Sequence, residues 1–238
     1  AKFLRQAIPD ASAKEDPFQP KYLDETVLDT PALALGQATR ETLRMADSVQ
    51  EMLRDTMVVF QTDDEELAER LQERDDMLDR LEEAIKLYLT QLSEQRLTPE
   101  QSKREVGLLF LIRDLENIGD IIDKNLMELA KKKIAGGYVF SLEGAQDLQH
   151  LHKLVTENLE LALSAFATQD AELAQKVLAQ RITVRHAERE LRQAHIRRLR
   201  NGVRESVDTS AIHLDVLSNL KRINSHATSI AYIVLGEV

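Results

Sequence analysis

Two acidic pairs and one basic cluster carry most of the chemistry this sequence offers. Asp75 and Asp79 stand four residues apart, and so do Glu116 and Asp120. On a helix that spacing puts each pair on one face. The loop between the pairs centres near residue 95 or 96. An antiparallel hairpin would therefore set Asp75 level with Glu116, with Asp79 and Asp120 about a turn to either side. Glu82 and Asp123 are outer members of the set. Converging carboxylates repel one another unless protons or a cation intervene. Ligation by oxygen alone favours a hard divalent cation or an iron-type ion. The same spacing also describes a solvated acidic face, and spacing alone leaves both readings open.

A second cluster mirrors the first with reversed sign. Shifted by 106 residues, Asp75 falls on Arg181 and Asp79 on Arg185. Shifted by 105, Glu116 falls on Lys221, beside Arg222, and Asp120 falls on Ser225. Arg181, Arg185, Lys221 and Arg222 are expected to lie at similar heights as one basic surface. Such a surface would take phosphate, lipid headgroups or an acidic protein partner. Its plain alternative is long basic side chains solvating a bundle.

The remaining residues give no positive case for an enzyme. His186, His195, His213 and His226 gather in the second half, and His195 and His213 are expected to approach across a helical turn near residue 202. No histidine follows a glutamate by three residues, as a di-iron bundle requires. There is no glycine-rich phosphate loop and no GxSxG elbow. A helical metalloenzyme is therefore the weakest of the functional readings.

The elements that must position these groups are helices. Gly and Pro total 8 and 5 of 238 residues, aromatics are 4% and there is no Trp. Scarce breakers with abundant Leu, Ala, Glu and Arg favour helix over strand. No cysteine is present, which excludes disulfide scaffolds and thiol catalysis. A net charge of -10 argues against a nucleic-acid partner. No apolar run approaches the roughly 18 residues of a membrane span. The chain begins with Ala rather than Met, as a processed protein or a fragment would.

Six long helices are expected, as two antiparallel three-helix units packed like spectrin repeats. Residues 1–29, with Pro9, Pro17 and Pro20, read as a linker or arm; 30–137 and 138–238 read as the two units. Thr30-Pro31 and Thr98-Pro99 carry N-cap and N1 signals, and Thr98 with Gln101 has capping-box spacing. Thr62 with Glu65 has that spacing too, Ser141 is a candidate cap, and Asp208 or Ser210 is expected to start the sixth helix. The shift of 106 also overlays Val49 on Val155, Leu53 on Leu159, Phe60 on Phe166 and Leu67 on Leu173. In the third helix a shift of 105 overlays Leu115 on Leu220 and Ile118 on Ile223. Self-similarity over three helices marks a duplicated unit.

Arg113-Asp114-Leu115-Glu116-Asn117-Ile118-Gly119-Asp120 resembles the "DLERIGD" signature of the PhoU family of phosphate-uptake regulators. That family is a duplicated pair of three-helix bundles, and its ExxxD metal motif falls here on Glu116 and Asp120. Asp75 and Asp79 resemble the acidic positions of the preceding helix. The stretch Asn219 to His226 looks like the second copy with its acids lost.

The sequence from Tyr22 to Glu25, from Leu28 to Ala34, from Ile212 to Asp215 and from Leu220 to His226 is similar to the PhoU-like C-terminal region of bacterial Na/Pi cotransporter proteins. That resemblance implies a non-catalytic regulatory domain in sodium-dependent phosphate symport. It implies a location at the cytoplasmic face of the inner membrane. The implied partners are the transmembrane transport domain of the same polypeptide and a second copy in a homodimer. A free-standing PhoU-like metal-binding regulator is the alternative. The lost acids of the second copy weigh against a full pair of metal clusters.

Overall fold

The computed structural model describes residues 19–237, and within them the chain is helical with no strand. The first half holds α1 (Pro31–Thr62), α2 (Glu65–Ser93), α3 (Pro99–Asp120) and α4 (Glu128–Ala135). The second holds α5 (Leu142–Thr168), α6 (Ala171–Arg200), α7 (Arg204–Asp208) and α8 (Ser210–Leu235). No helix among the described residues is long and apolar enough to cross a membrane.

Local chemistry sets these boundaries. Thr98 and Gln101 form the expected reciprocal capping box ahead of α3, with Pro99 at its first position. Ser141 caps α5 through the Gly144 amide. Two expected caps differ. Asp64, not Thr62, caps α2 by accepting from the Leu67 amide. Thr62 stays in α1, its hydroxyl donating to the Val58 carbonyl, and Asp63 makes the turn at φ 56. A carboxylate at the end of a left-handed step reaches the free amides of the next helix, so the cap moves two residues on. The sixth long helix begins after Thr209, which makes no side-chain cap.

The third rod differs from the single helix expected. Between α3 and α4 the backbone widens to π-helical hydrogen bonding over Ile121–Met127. A π turn absorbs an extra residue. The buried positions register that residue. Leu115 and Ile118 lie 105 before Leu220 and Ile223, yet Leu126 and Met127 lie 104 before Ile230 and Ala231. The slip lets the core face continue past a sequence one residue out of phase.

Both halves share one apolar core, built on α1 against α5 and α3 against α8. Arg54 and Glu160, each the other's counterpart under the 106 shift, pair across α1 and α5 at 2.5 Å. A residue that meets its own counterpart lies on a twofold axis, here an approximate one perpendicular to the helices. The axis exchanges the two ends of the molecule. One end carries the α1–α2 turn, the connector between the halves and the α6–α8 turn. The other carries the α2–α3 and α5–α6 turns.

Residues 19–29 are packed rather than free, and the rest of the expected arm lies outside the described residues. Buried Glu41 accepts from the Lys21 and Tyr22 amides at 2.8 Å each. Arg40 lies over the Tyr22 ring, and the Tyr88 hydroxyl donates to the Asp24 carbonyl. Leu23, Val27 and Leu28 then close on the core.

At the connector end, Phe140 reaches back between the halves. Its ring lies 6.3 Å from Phe60 and 6.1 Å from His213, with Lys133 on its face. Truncating a core aromatic costs about 3–5 kcal/mol, and a partly buried one less. Phe140→Ala is therefore expected to lower stability by about 2 kcal/mol, read from the urea midpoint at constant m value.

Candidate functional site

The acidic site is built where α2 crosses α3 at Gly119. A Cβ there would stand 2.6 Å from Asp75 Oδ1 and 2.8 Å from Leu78 Cδ1. Only a glycine lets the two helices approach this closely. The register follows from that fit. Asp75 faces Gly119, about a turn from the level of Glu116 that the loop centre implied, and Glu116 shares a groove with Asp79. Helix pairs settle by fitting ridges into grooves, and a missing side chain outweighs the symmetry of a loop.

The predicted carboxylates occupy one side of this crossing. Asp75 is buried beneath the surface. Asp79 and Glu116 line an open groove with Glu82, Lys86 and Thr90. Asp120 is paired with Lys124, and Asp123 accepts from Gln72 Nε2 at 2.6 Å. The π segment begins immediately after Asp120, so its wider turn holds both Asp123 and Lys124. As the side chains stand, no three acidic or histidine groups among the described residues are placed to hold one metal ion.

The electrostatics are unbalanced. Burial, then repulsion from Asp123, Asp79 and Asp120, pushes the Asp75 carboxyl up to about 7. Burial also raises Asp79, with Asp120 and Glu82 adding to it and Lys124 opposing. Glu116 is raised by burial, then by Asp120, Glu82 and Asp79. Burial is the largest cause of each shift, and neighbouring carboxylates add to it while Lys124 opposes it.

The corresponding crossing in the second half is neutralised internally. The pair Glu82–Lys86 recurs as Glu188–Arg192, at 2.7 Å. Where the first half sets Glu116 near Glu82, the second sets Lys221 at 3.7 Å from Glu188. A like-charge contact has become an ion pair. Arg192 further donates to Ser218 at 3.0 Å.

The four basic residues do not share one level. Lys221 meets Glu188, but Arg181 donates to the Tyr232 hydroxyl, seven residues earlier on α6 and about 10 Å along its axis. Arg185 is exposed between these levels. Arg222 turns to the other half, donating to Asn125 at 3.1 Å and to Asn219 at 2.8 Å. The helix α7 lengthens the α6–α8 connection and moves the register that a simple turn near residue 202 implied.

His195 and His213 do meet, stacked at 4.4 Å between α6 and α8. Their Nε2 atoms reach the Ser210 hydroxyl and the Gly144 carbonyl. Burial lowers both, His213 to about 3, with the neighbouring ring and Arg198 adding to it. These are neutral packing groups near the Arg198–Asp147 pair. His226 instead bridges the halves, its Nδ1 2.9 Å from buried Asp114. His186 is exposed. Sequence reasoning missed Gly119 and Asp114. A glycine inside a helix, between two acids, was the available signal for the first.

The sequence pattern of the PhoU domain matches residues 42–128 and again 148–234. Over its whole length the chain is 34% identical to YjbB of Escherichia coli, named provisionally as an inorganic phosphate export protein, and it spans 44% of that protein. It is 25% identical over 197 residues to a phosphate-specific transport system accessory protein PhoU homolog of Thermotoga maritima, covering 81% of this chain and 82% of the homolog. Crystal structures of PhoU from Pseudomonas aeruginosa and Streptococcus pneumoniae superpose with TM-scores of 0.79 and 0.77, at 24% and 17% identity. They cover 86% and 87% of this chain, and 96% and 95% of their own.

The raised Asp75 pKa fixes the sign of a pH effect. Between the ordinary value of 3.8 and about 7 the folded chain binds a proton that the unfolded chain lacks. The resulting stability is present in acid and lost as pH rises through 7. In EDTA, Asp75→Asn is expected to melt at least about 2 °C above wild type at pH 8, with the gain shrinking toward pH 5. Thermal melts of both chains across that range read it.

Proposed function

This chain belongs to the PhoU domain family, and from that premise we propose that it is the regulatory part of a membrane protein that moves inorganic phosphate. The observation that carries this reading is the alignment of the whole chain with a portion of YjbB, a protein more than twice as long whose name describes phosphate export. The regulatory character is taken from the PhoU homologues, which are named as accessory proteins of phosphate transport. Control runs through helix contacts at the cytoplasmic face of the inner membrane, with no chemical step of its own. Sodium-coupled symport, as in the Na/Pi cotransporter proteins, is a finer form of this proposal. A homodimer is a further expectation.

Deleting the coding segment for residues 31–235 from the gene as it occurs in its cell tests the reading. Uptake or efflux of radiolabelled phosphate is expected to change while the abundance of any remaining membrane protein stays constant. Unchanged flux in both directions overturns it.

A cation belongs to the same proposal, and it is confined to the first half. Asp79, Glu116 and Asp120 would hold it, with Asp75 behind them, and it would supply the positive charge this carboxylate cluster lacks. Oxygen donors suit a hard divalent ion, and binding one would need these side chains to turn together and Asp120 to leave Lys124. The second crossing, with Lys221 in place of Glu116, does not fit one. Titration with manganese, followed by electron paramagnetic resonance, is expected to give one ion per chain. Glu116→Gln with Asp120→Asn should abolish it. A second ion, or retention in the double variant, overturns the assignment.

A further inference from the structure

The approximate twofold gives most features of one end a counterpart at the other, and one difference between the ends lies in a pair of corresponding clefts. At the connector end, a cleft between the halves is plugged. Phe140, in the extended segment before α5, inserts its ring beside Phe60 and His213. The plug is pinned on both sides. Ser141 and Ser206 share a hydrogen bond of 3.0 Å, and Lys133 pairs with Asp63 at 2.5 Å.

At the opposite end the counterpart cleft is open. Its volume is about 630 Å³, and α1, α3, α5 and α8 supply its walls. The correspondence runs residue by residue. Phe166, the counterpart of Phe60, lines it. So do Leu35 and Gln101, the counterparts of Ser141 and Ser206, and Gln169, the counterpart of Asp63. Gly107 lines it where the second half has Ile212, and Ile233 packs against it so closely that a Cβ there would stand 3.1 Å from Ile233 Cγ2. Under the 106 shift the counterpart of Phe140 is Ala34, in the first turn of α1, which carries no ring to plug the cleft, and Glu41 and Tyr88 hold residues 21–24 elsewhere on the bundle.

The rim adds a charge preference. Lys103 and Arg104 are exposed at the cleft, and neither is ion-paired with a described residue. Arg104 donates only to the Thr39 hydroxyl, at 2.9 Å. Glu100 is the one acid in the lining.

We infer that this cleft is a recognition site for an extended acidic peptide segment of a partner protein, which inserts one aromatic or large aliphatic side chain among Ala32, Ala167, Ile233 and Val234, above the buried Phe166. Lys103 and Arg104 meet carboxylates flanking that anchor. Burying a single anchor in a preformed apolar slot gives most of the affinity of such contacts, and the rim charges select the partner.

The test pans a phage-displayed library of random dodecapeptides against residues 1–238. Ala167→Trp serves for counter-selection, because it fills the cleft from an exposed position on α5. Thr39→Trp fills the same space from α1 and serves as a second blocking variant, with circular dichroism checking both folds. Enriched peptides are expected to carry Phe, Tyr or Leu beside Asp or Glu. As synthetic peptides they should bind wild type at least about tenfold more tightly than either blocked variant or Lys103→Glu with Arg104→Glu. No enrichment over the blocked variants overturns the proposal, and so does binding indifferent to the charge reversal. Binding that emerges only after removal of residues 1–18 assigns the cleft to this chain's own amino-terminal segment and overturns it too.

Discussion

The docking of α1 on α5 and of α3 on α8 is the constraint on which the rest of this molecule depends. It merges two three-helix units into one core, and it does so about an approximate twofold axis. Burial along those four helices supplies the main driving force, since apolar area removed from water dominates folding. Polar contacts cross the seam too, among them Arg54 with Glu160, His152 on the Leu53 carbonyl, His226 on Asp114 and Arg222 on Asn125. They fix the register of a contact that apolar surfaces alone would leave free to slide. The axis then sets every other relation in the fold, including which crossing is the counterpart of which.

Once the halves are related in this way, their differences become informative. The two α2–α3-type crossings share one scaffold ion pair, Glu82–Lys86 and Glu188–Arg192. Around it the first half accumulates carboxylates, and the second replaces one of them with Lys221. The first crossing therefore carries an electrostatic strain that burial makes worse, and the second has relieved it. Burial, then the neighbouring carboxylates, push the Asp75 carboxyl up to about 7. The π segment after Asp120 belongs to the same region, and it carries Asp123 and Lys124 on a widened turn.

Much of this was legible in the sequence. The 106-residue shift, the Thr98-Pro99 start, the reversed charge of the second copy and the helical class all followed from spacing and residue type. These are properties of a chain read one helix at a time, where the period of apolar residues and the chemistry of caps act locally. The sequence also allowed His195 and His213 to approach, and they do, although α7 shifts the register of their helices.

Registers between helices were not legible. The loop centre placed Asp75 against Glu116 and Arg181 against Lys221, and both pairings moved by a turn or more. In the first crossing Gly119 removed a side chain and let Asp75 and Leu78 settle there. In the second, α7 lengthened the connection. The π turn likewise hides in sequence, because one residue of slip is visible only when both copies are seen buried. Nor could any periodicity reveal that Phe140 closes one cleft and leaves its counterpart open. By itself the sequence determined which faces would be buried and roughly where the long helices would begin and end, because those depend on neighbours three or four positions away. Only the tertiary structure decided which side chains meet, because that depends on the fit of two surfaces far apart in the chain.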